Sequence, residues 1–204
     1  MRGKMIQPHG NELIDRQVGS ERSAELKDAF DYFTTITLDQ NLLFDFANLA
    51  RGVYSPLRGF MSRNDFLKVV NDLTLEGGAA WPLPIVLDIE ADLANKMEPG
   101  DQVGLQAPDG TPIGIMNVDS VYRYNEEKTC QNLFATTDEE HPGVRTIQSK
   151  KQFFVGGPIK AFADALPRNG SHDLSPKETR VLFKKRGLDT VVGFQTRNVP
   201  HRAH

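Results

Sequence analysis

One cysteine, Cys130, stands in 204 residues, so no disulfide can form within the chain. That economy fits a reducing compartment. No apolar run approaches the roughly 18 residues a bilayer-spanning helix needs. The basic start Met1-Arg2-Gly3-Lys4 has no apolar h-region behind it, so we expect no secretory signal. Basic excess is lacking too: 24 Lys and Arg against 27 Asp and Glu leave a net charge of −3, which argues against a general nucleic-acid binder. His9, His141 and His172 show no metal-ligand spacing, and no Gly-rich Walker or Rossmann fingerprint is present. Together these absences predict a cytoplasmic protein with no membrane partner, no nucleic-acid partner and no protein-held metal.

What remains is ordinary globular composition, 39% hydrophobic and 25% charged, in a chain long enough for one domain plus a piece of a second. Ala24, Leu26, Ala29, Phe30 and Phe33 recur at nearly helical spacing. Thr34–Leu38 predicts a short strand, and Asp39 an N-cap for a helix running to about Ala50 and ending at Gly52. After the turn-rich Tyr54–Gly59, Ser62 and Asp65 open a helix whose buried side would be Phe66, Leu67, Val69, Val70 and Leu73. The texture then turns to β. Leu83–Ile89 and Gln102–Ala107 are strand candidates, and Asp109-Gly110 is a hairpin signal before the run Thr111–Tyr124. Gln152–Val155 and Ile159–Phe162 flank Gly156-Gly157-Pro158. Short strands and tight turns predict a small barrel-like β domain with helical decoration over residues 1–168.

The pattern changes after Asn169-Gly170-Ser171, which reads as a linker. Ser175-Pro176 predicts a helix start ended by Gly187, and Asp189–Phe194 a buried strand. A helix, an apolar strand and a polar loop are how a parallel α/β unit opens, so residues 171–204 are assigned to the beginning of a second domain.

The string Gln195-Thr196-Arg197-Asn198-Val199-Pro200-His201-Arg202-Ala203-His204 carries the chemistry. It follows the expected strand directly, where open α/β sheets bind ligands. Pro200 suits a first helical turn, whose free N–H groups and dipole favour phosphate. His201 and His204, spaced i, i+3, would share one face, and Arg197 adds a planar cation matched to oxyanions. Gln195, Thr196 and Asn198 add neutral hydrogen-bonding groups. The alternatives are bland: two histidines on one helix face are usually just polar, and Lys184-Lys185-Arg186 reads as a solvated helix end. Cys130 reads as a small buried side chain, and His141 as part of loop structure.

Gln-Thr-Arg-Asn followed by His-Arg-Ala-His resembles the signature of the ATP sulfurylases, and its HxxH half is shared with other nucleotidyltransferases. Tyr54-Ser55-Pro56-Leu57-Arg58-Gly59-Phe60-Met61 resembles the family's SPLxGFM stretch. Asp138-Glu139-Glu140-His141-Pro142-Gly143-Val144 resembles its DxxHPGV stretch, and Ile6-Gln7-Pro8-His9-Gly10 its opening. Gly156-Gly157-Pro158 falls where the family's amino-terminal domain ends. The resemblance implies an α+β fold: a PUA-like, mainly β amino-terminal domain and the start of an α/β HxxH nucleotidyltransferase domain.

It also implies a reaction, ATP plus sulfate giving adenylyl sulfate and pyrophosphate. By resemblance, Gln195 and Arg197 would hold sulfate, and Thr196, Arg197 and Asn198 would form the catalytic loop. All four, with His201 and His204, would meet ATP, and the two histidines would stabilise the transition state. Mg²⁺ would arrive with ATP, and the whole enzyme would be a homo-oligomer. Two departures stand out. Several family members carry Asn-Pro-x-His where this chain has Asn198-Val199-Pro200-His201, which moves the fixed φ by one residue. The sequence stops at His204, so these 204 residues are expected to be inactive by themselves. Two other functions compete: an HxxH transferase with a different acceptor, which the Gln195–Asn198 loop disfavours, and an RNA-binding PUA-like module, which the acidic balance disfavours.

Overall fold

The computed structural model describes residues 5–168 and 170–196. The strands are β1 (Gln17–Val18), β2 (Thr34–Thr37), β3 (Gly59–Phe60), β4 (Leu87–Ile89), β5 (Gln102–Gln106), β6 (Pro112–Asn117), β7 (Ser120–Arg123) and β8 (Phe153–Phe162). The helices are α1 (Ser20–Asp28), α2 (Gln40–Arg51), α3 (Arg63–Asp72), α4 (Ala91–Ala94), α5 (Glu126–Phe134), α6 (Pro142–Gln148) and α7 (Pro176–Arg186). A mixed sheet decorated by helices makes this an α+β fold.

Everything is organised around β8. Ladder pairing runs β1-β8-β6-β5-β2, and β3, β4 and β7 also pair with β8. Val155 faces Leu87 of β4 on one edge and Val121 of β7 on the other. Farther along, Ala161 faces Gln17 of β1 and Gly114 of β6. One ten-residue strand is thus zipped on both edges by short strands in succession.

The sequence predicts two strands broken at Gly156-Gly157-Pro158, whereas β8 runs straight through them. The glycines are there for close approach, not for a break. A Cβ on Gly156 would lie 1.9 Å from the Met61 carbonyl oxygen, and one on Gly157 would lie 1.9 Å from that of Asn117. A Cβ on Gly59 would lie 1.9 Å from the Gly157 oxygen. Pro158 has no N–H for a ladder, and it sits where the second edge changes from β7 (Ser120 opposite Gly156) to β6 (Met116 opposite Ile159). That changeover at Val118-Asp119 also splits the predicted run Thr111–Tyr124 into β6 and β7.

The helices follow their caps. Asp39 accepts from the Leu42 N–H at 2.8 Å, and Gly52 closes α2 with a left-handed φ of 80°. α2 buries Leu42, Leu43, Phe46 and Leu49 against the sheet, each contributing about 1.5–3 kcal/mol of transfer free energy. Ser62 caps α3 by accepting from the Asp65 N–H, but the Asp65 carboxylate turns to the Glu76 N–H instead of closing a reciprocal box. α3 buries Phe66, Val69 and Val70, while Leu67 and Leu73 are exposed, contrary to the predicted face. Leu73 ends the helix in the left-handed region, which takes it off the helical spacing.

Of Leu83–Ile89 only Leu87–Ile89 is strand, since Pro82 and Pro84 keep its start out of a ladder. α5 and α6, which the apolar spacing did not announce, enclose a small cluster of Cys130, Val144 and Ile147. Cys130 is buried, and burial followed by the charge of Glu126 pushes its thiol pKa up, so it is a packing residue. The strand expected at Asp189–Phe194 is not formed, and Val192 and Phe194 are 91% and 72% exposed. A strand needs a neighbour to take its N–H and C=O groups, and no described strand pairs with these residues.

Candidate functional site

α7 leads to the string that the sequence marks as the site. Ser175 accepts from the Glu178 N–H and Glu178 accepts from the Ser175 N–H, a closed capping box with Pro176 at the first position. Those hydrogen bonds, from the Ser175 backbone first, and then Arg168 hold the Glu178 carboxyl at about 2. Gly187 ends the helix in the left-handed region, and Lys184, Lys185 and Arg186 lie exposed in the last turn, as their reading as a solvated helix end requires.

α7 is attached by polar contacts. Arg51, the last residue of α2, donates to the Pro167 carbonyl and pairs with Asp173 at 3.1 Å. Lys177 reaches Asp15, and Arg180 donates to the Ile6 carbonyl at 2.8 Å. Sequence reasoning gave no sign of Arg51, because its partner lies 122 residues downstream.

Of the six candidate residues, Gln195 and Thr196 are described, and both are exposed and outside any strand or helix. Arg197, Asn198, His201 and His204 lie outside the described residues.

The upstream stretches that the resemblance singled out come together elsewhere. Gly10, Pro56–Ser62 and Gly157-Pro158 line a single hollow of about 420 Å³. Gly10, at φ 68°, lies so close to the Pro56 ring that a Cβ there would meet it at 2.6 Å. Ser55 accepts from the Ile14 N–H and donates to the Gly52 carbonyl, tying the amino-terminal segment to the end of α2. Arg58 pairs with Glu12 at 2.7 Å, and the Met61 N–H donates to the Ile85 carbonyl. These contacts make the Tyr54–Met61 stretch a crossing point of chain segments.

The Asp138–Val144 stretch is a helix start. Asp138 accepts from the Glu140 N–H, and His141 Nδ1 accepts from the Gly143 N–H. The His141 ring lies 4.9 Å from that of Phe134, so its role is local structure, as read. His9 donates to the Ala80 carbonyl and packs near Trp81. Among the described residues no group of three or more His, Cys, Asp or Glu side chains is placed to hold a metal, and no helix is long and apolar enough to cross a membrane.

Comparison with known proteins gives this geometry a family. Residues 6–164 match the PUA-like domain model, so the chain belongs to the PUA-like family. Residues 171–204 match the ATP-sulfurylase family model. Over 197 residues the chain is 40% identical to a sulfate adenylyltransferase of Hyperthermus butylicus, covering 97% of this chain and 50% of that protein. A sulfate adenylyltransferase of Pyrococcus abyssi is 40% identical over 199 residues, covering 97% and 51%. One from Synechococcus is 34% identical over 203 residues, covering 99% and 52%. The chain therefore spans about half the length of these curated relatives. The fold recurs in the hexameric APS kinase from Thiobacillus denitrificans, with a TM-score of 0.67 at 24% identity, covering 90% of this chain and 32% of that one.

Proposed function

We propose that this chain is the amino-terminal half of a sulfate adenylyltransferase, joining sulfate to the α-phosphoryl group of ATP and releasing pyrophosphate. The observation that carries the reading is the run of similarity through nearly the whole chain to enzymes of that name, ending in residues 171–204, which match the ATP-sulfurylase family. In this reading residues 1–168 are the PUA-like domain and residues 171–204 open the α/β catalytic domain. The helix–loop order of α7 and the exposed Gln195 and Thr196 support that division.

The chemistry suits the residue types. Sulfate is fully ionised near neutral pH, so its attacking oxygen needs no general base. The work is to bring two polyanions together and to neutralise charge on the α-phosphoryl group and the departing pyrophosphate. Gln195 and Arg197 would hold sulfate, and Arg197 supplies the permanent charge. Thr196 and Asn198 would orient the phosphates with neutral hydrogen bonds, and His201 and His204 would face the β- and γ-phosphates. Mg²⁺ would be held by ATP and water, and no step is assigned to a protein-held metal.

The test is a hybrid in which this chain replaces the first half of the Hyperthermus butylicus relative. Sulfate-dependent pyrophosphate release from MgATP is the expected outcome. Arg197→Ala should remove it, by at least the ~10²–10³-fold a single oxyanion donor supplies, and Lys185→Ala should leave it. A folded hybrid that releases no pyrophosphate, or equal rates for the two variants, would overturn the assignment. Given the whole-enzyme chemistry, we expect the 204 residues by themselves to bind MgATP weakly and not to turn over, which titration calorimetry checks.

A further inference from the structure

The cleft between α3 and α5 has a charge pattern at odds with the rest of the molecule. Its floor is aromatic, formed by Phe66, Tyr122 and Tyr124, and its lining includes Arg63, Arg123 and Lys128 but no acidic side chain. The three cations come from three different elements: the first residue of α3, the last of β7 and the first turn of α5. In a chain of net charge −3, that is a local concentration of unlike sign. None of the three side chains has a hydrogen-bond or ion-pair partner among the described residues, although nine other ion pairs are formed there.

Two carboxylates bear on the floor: burial first, and then the charges of Asp65 and Glu126, push up the hydroxyl pKa values of Tyr122 and Tyr124. Asp65 accepts from the Glu76 N–H, and Glu126 and Glu127 line a neighbouring hollow with Lys150, Arg123 bordering both hollows.

Two further features point the same way. The first turns of both helices reach the cleft, through Arg63 and Lys128. Ser62 caps α3 beside Arg63, and Asn125 caps α5 by accepting from the Lys128 N–H at 2.8 Å. Each end adds partial positive charge from its first turn. The floor is also rigid, since Tyr124 stacks on Phe154 at 4.2 Å and meets Phe66 edge-on at 6.1 Å. The hollow measures about 90 Å³, room for a small ion.

We propose that the α3–α5 cleft is a binding site for one tetrahedral oxyanion, sulfate or phosphate, held by Arg63, Arg123 and Lys128. The arginine forks give planar, bidentate contacts and Lys128 a mobile point charge, the division of labour such anions call for. Because the cations are exposed, binding is weak and salt-sensitive, with a dissociation constant of about 1 mM. The site contains none of the residues from 195 to 204, so it stands or falls independently of the proposed reaction.

The test is an amide-resolved NMR titration of the 204-residue chain. Sodium sulfate and sodium phosphate are added separately, with ionic strength held constant by chloride. Saturating shifts of Arg63–Phe66 and Arg123–Thr129 are expected with one or both anions. The Arg123→Ala/Lys128→Ala double variant, its remaining spectrum unchanged, should bind at least about tenfold more weakly. Saturation with sulfate alone or phosphate alone identifies the source of the anion, and both outcomes support the site. It is overturned by shifts that do not saturate, by shifts confined to other basic residues, or by a double variant that binds like the parent.

Discussion

Arg51→Ala should loosen α7 without unfolding the sheet. The Arg51 side chain is 9% exposed, and it spends its charge on the Pro167 carbonyl and on Asp173, whose side chain is 29% exposed. A hydrogen bond to a charged group contributes roughly 1.5–3 kcal/mol, so two would give several. Against that stands the cost of withdrawing a guanidinium from water, made larger because Nε is buried with no hydrogen-bond partner among the described residues. The net contribution should be about 2 kcal/mol, lost locally. Opening of the segment from Pro167 to Gly187 should then become about 30-fold more frequent. Hydrogen exchange reads this directly. Amides of α7 should exchange about 30-fold faster in Arg51→Ala, while those of Ile115 and Phe154 keep their protection. Arg51→Lys, which keeps the charge but loses the fork, should fall between. If α7 exchanges within threefold of the parent, Arg51 is not what holds it and the reasoning fails.

Other consequences follow from the same geometry. Gly59→Ala places a methyl group 1.9 Å from the Gly157 carbonyl oxygen, so β3 and β8 must separate, and urea unfolding should show a loss of about 3–5 kcal/mol. A loss under about 1 kcal/mol would mean the crossing is looser than described. Tyr122→Phe removes the buried hydroxyl that donates to the Met61 carbonyl at 2.9 Å and should cost about 1–1.5 kcal/mol by the same measurement; no change would remove that bond from the account. Glu178 has its pKa depressed from 4.5 to about 2, so its contribution to α7 is fully present above about pH 4.5 and is lost as pH falls toward 2. Carboxyl-carbon NMR should follow the titration, and a midpoint near 4.5 would show that the capping box does not persist in water.

Local chemistry was legible wherever a residue acts on its own neighbours. Asp39 and Gly52 bound α2, Ser175-Pro176 and Gly187 bound α7, and Asp109-Gly110 sits in the turn between β5 and β6. What was not legible depends on distant segments. Nothing near Gly156-Gly157-Pro158 tells that Met61 and Asn117 lie against its backbone, so three residues that signal a turn lie inside the central strand. Leu67 and Leu73 fit the apolar period of α3, but the helix ends at Leu73 and the cleft beside α5 leaves Leu67 partly open. α5 has too few apolar positions for its period to stand out, and it forms where Asn125 caps it and Cys130 finds Val144 and Ile147. The candidate site was legible only as a string: Gln195 and Thr196 are exposed, and the β-run before them is not a strand.

The attachment of α7 explains why its placement rests on so few residues. The helix has no buried residue; Leu182 and Phe183 are half-buried, and Val181 is 50% exposed. Apolar burial therefore does little to fix it, in contrast to α2, whose side chains fill the core. Its ion pairs with Asp15 and Arg168 lie in solvent, where water and salt screen them. Arg51 differs because its contacts are largely removed from water and lie on the linker before the helix, at Pro167 and Asp173. A clamp on the linker sets where α7 starts, and the capping box at Ser175 sets its direction from there. A change at Arg51 would accordingly act on α7 from outside the helix, which is why hydrogen exchange along α7 is the measurement that isolates its attachment.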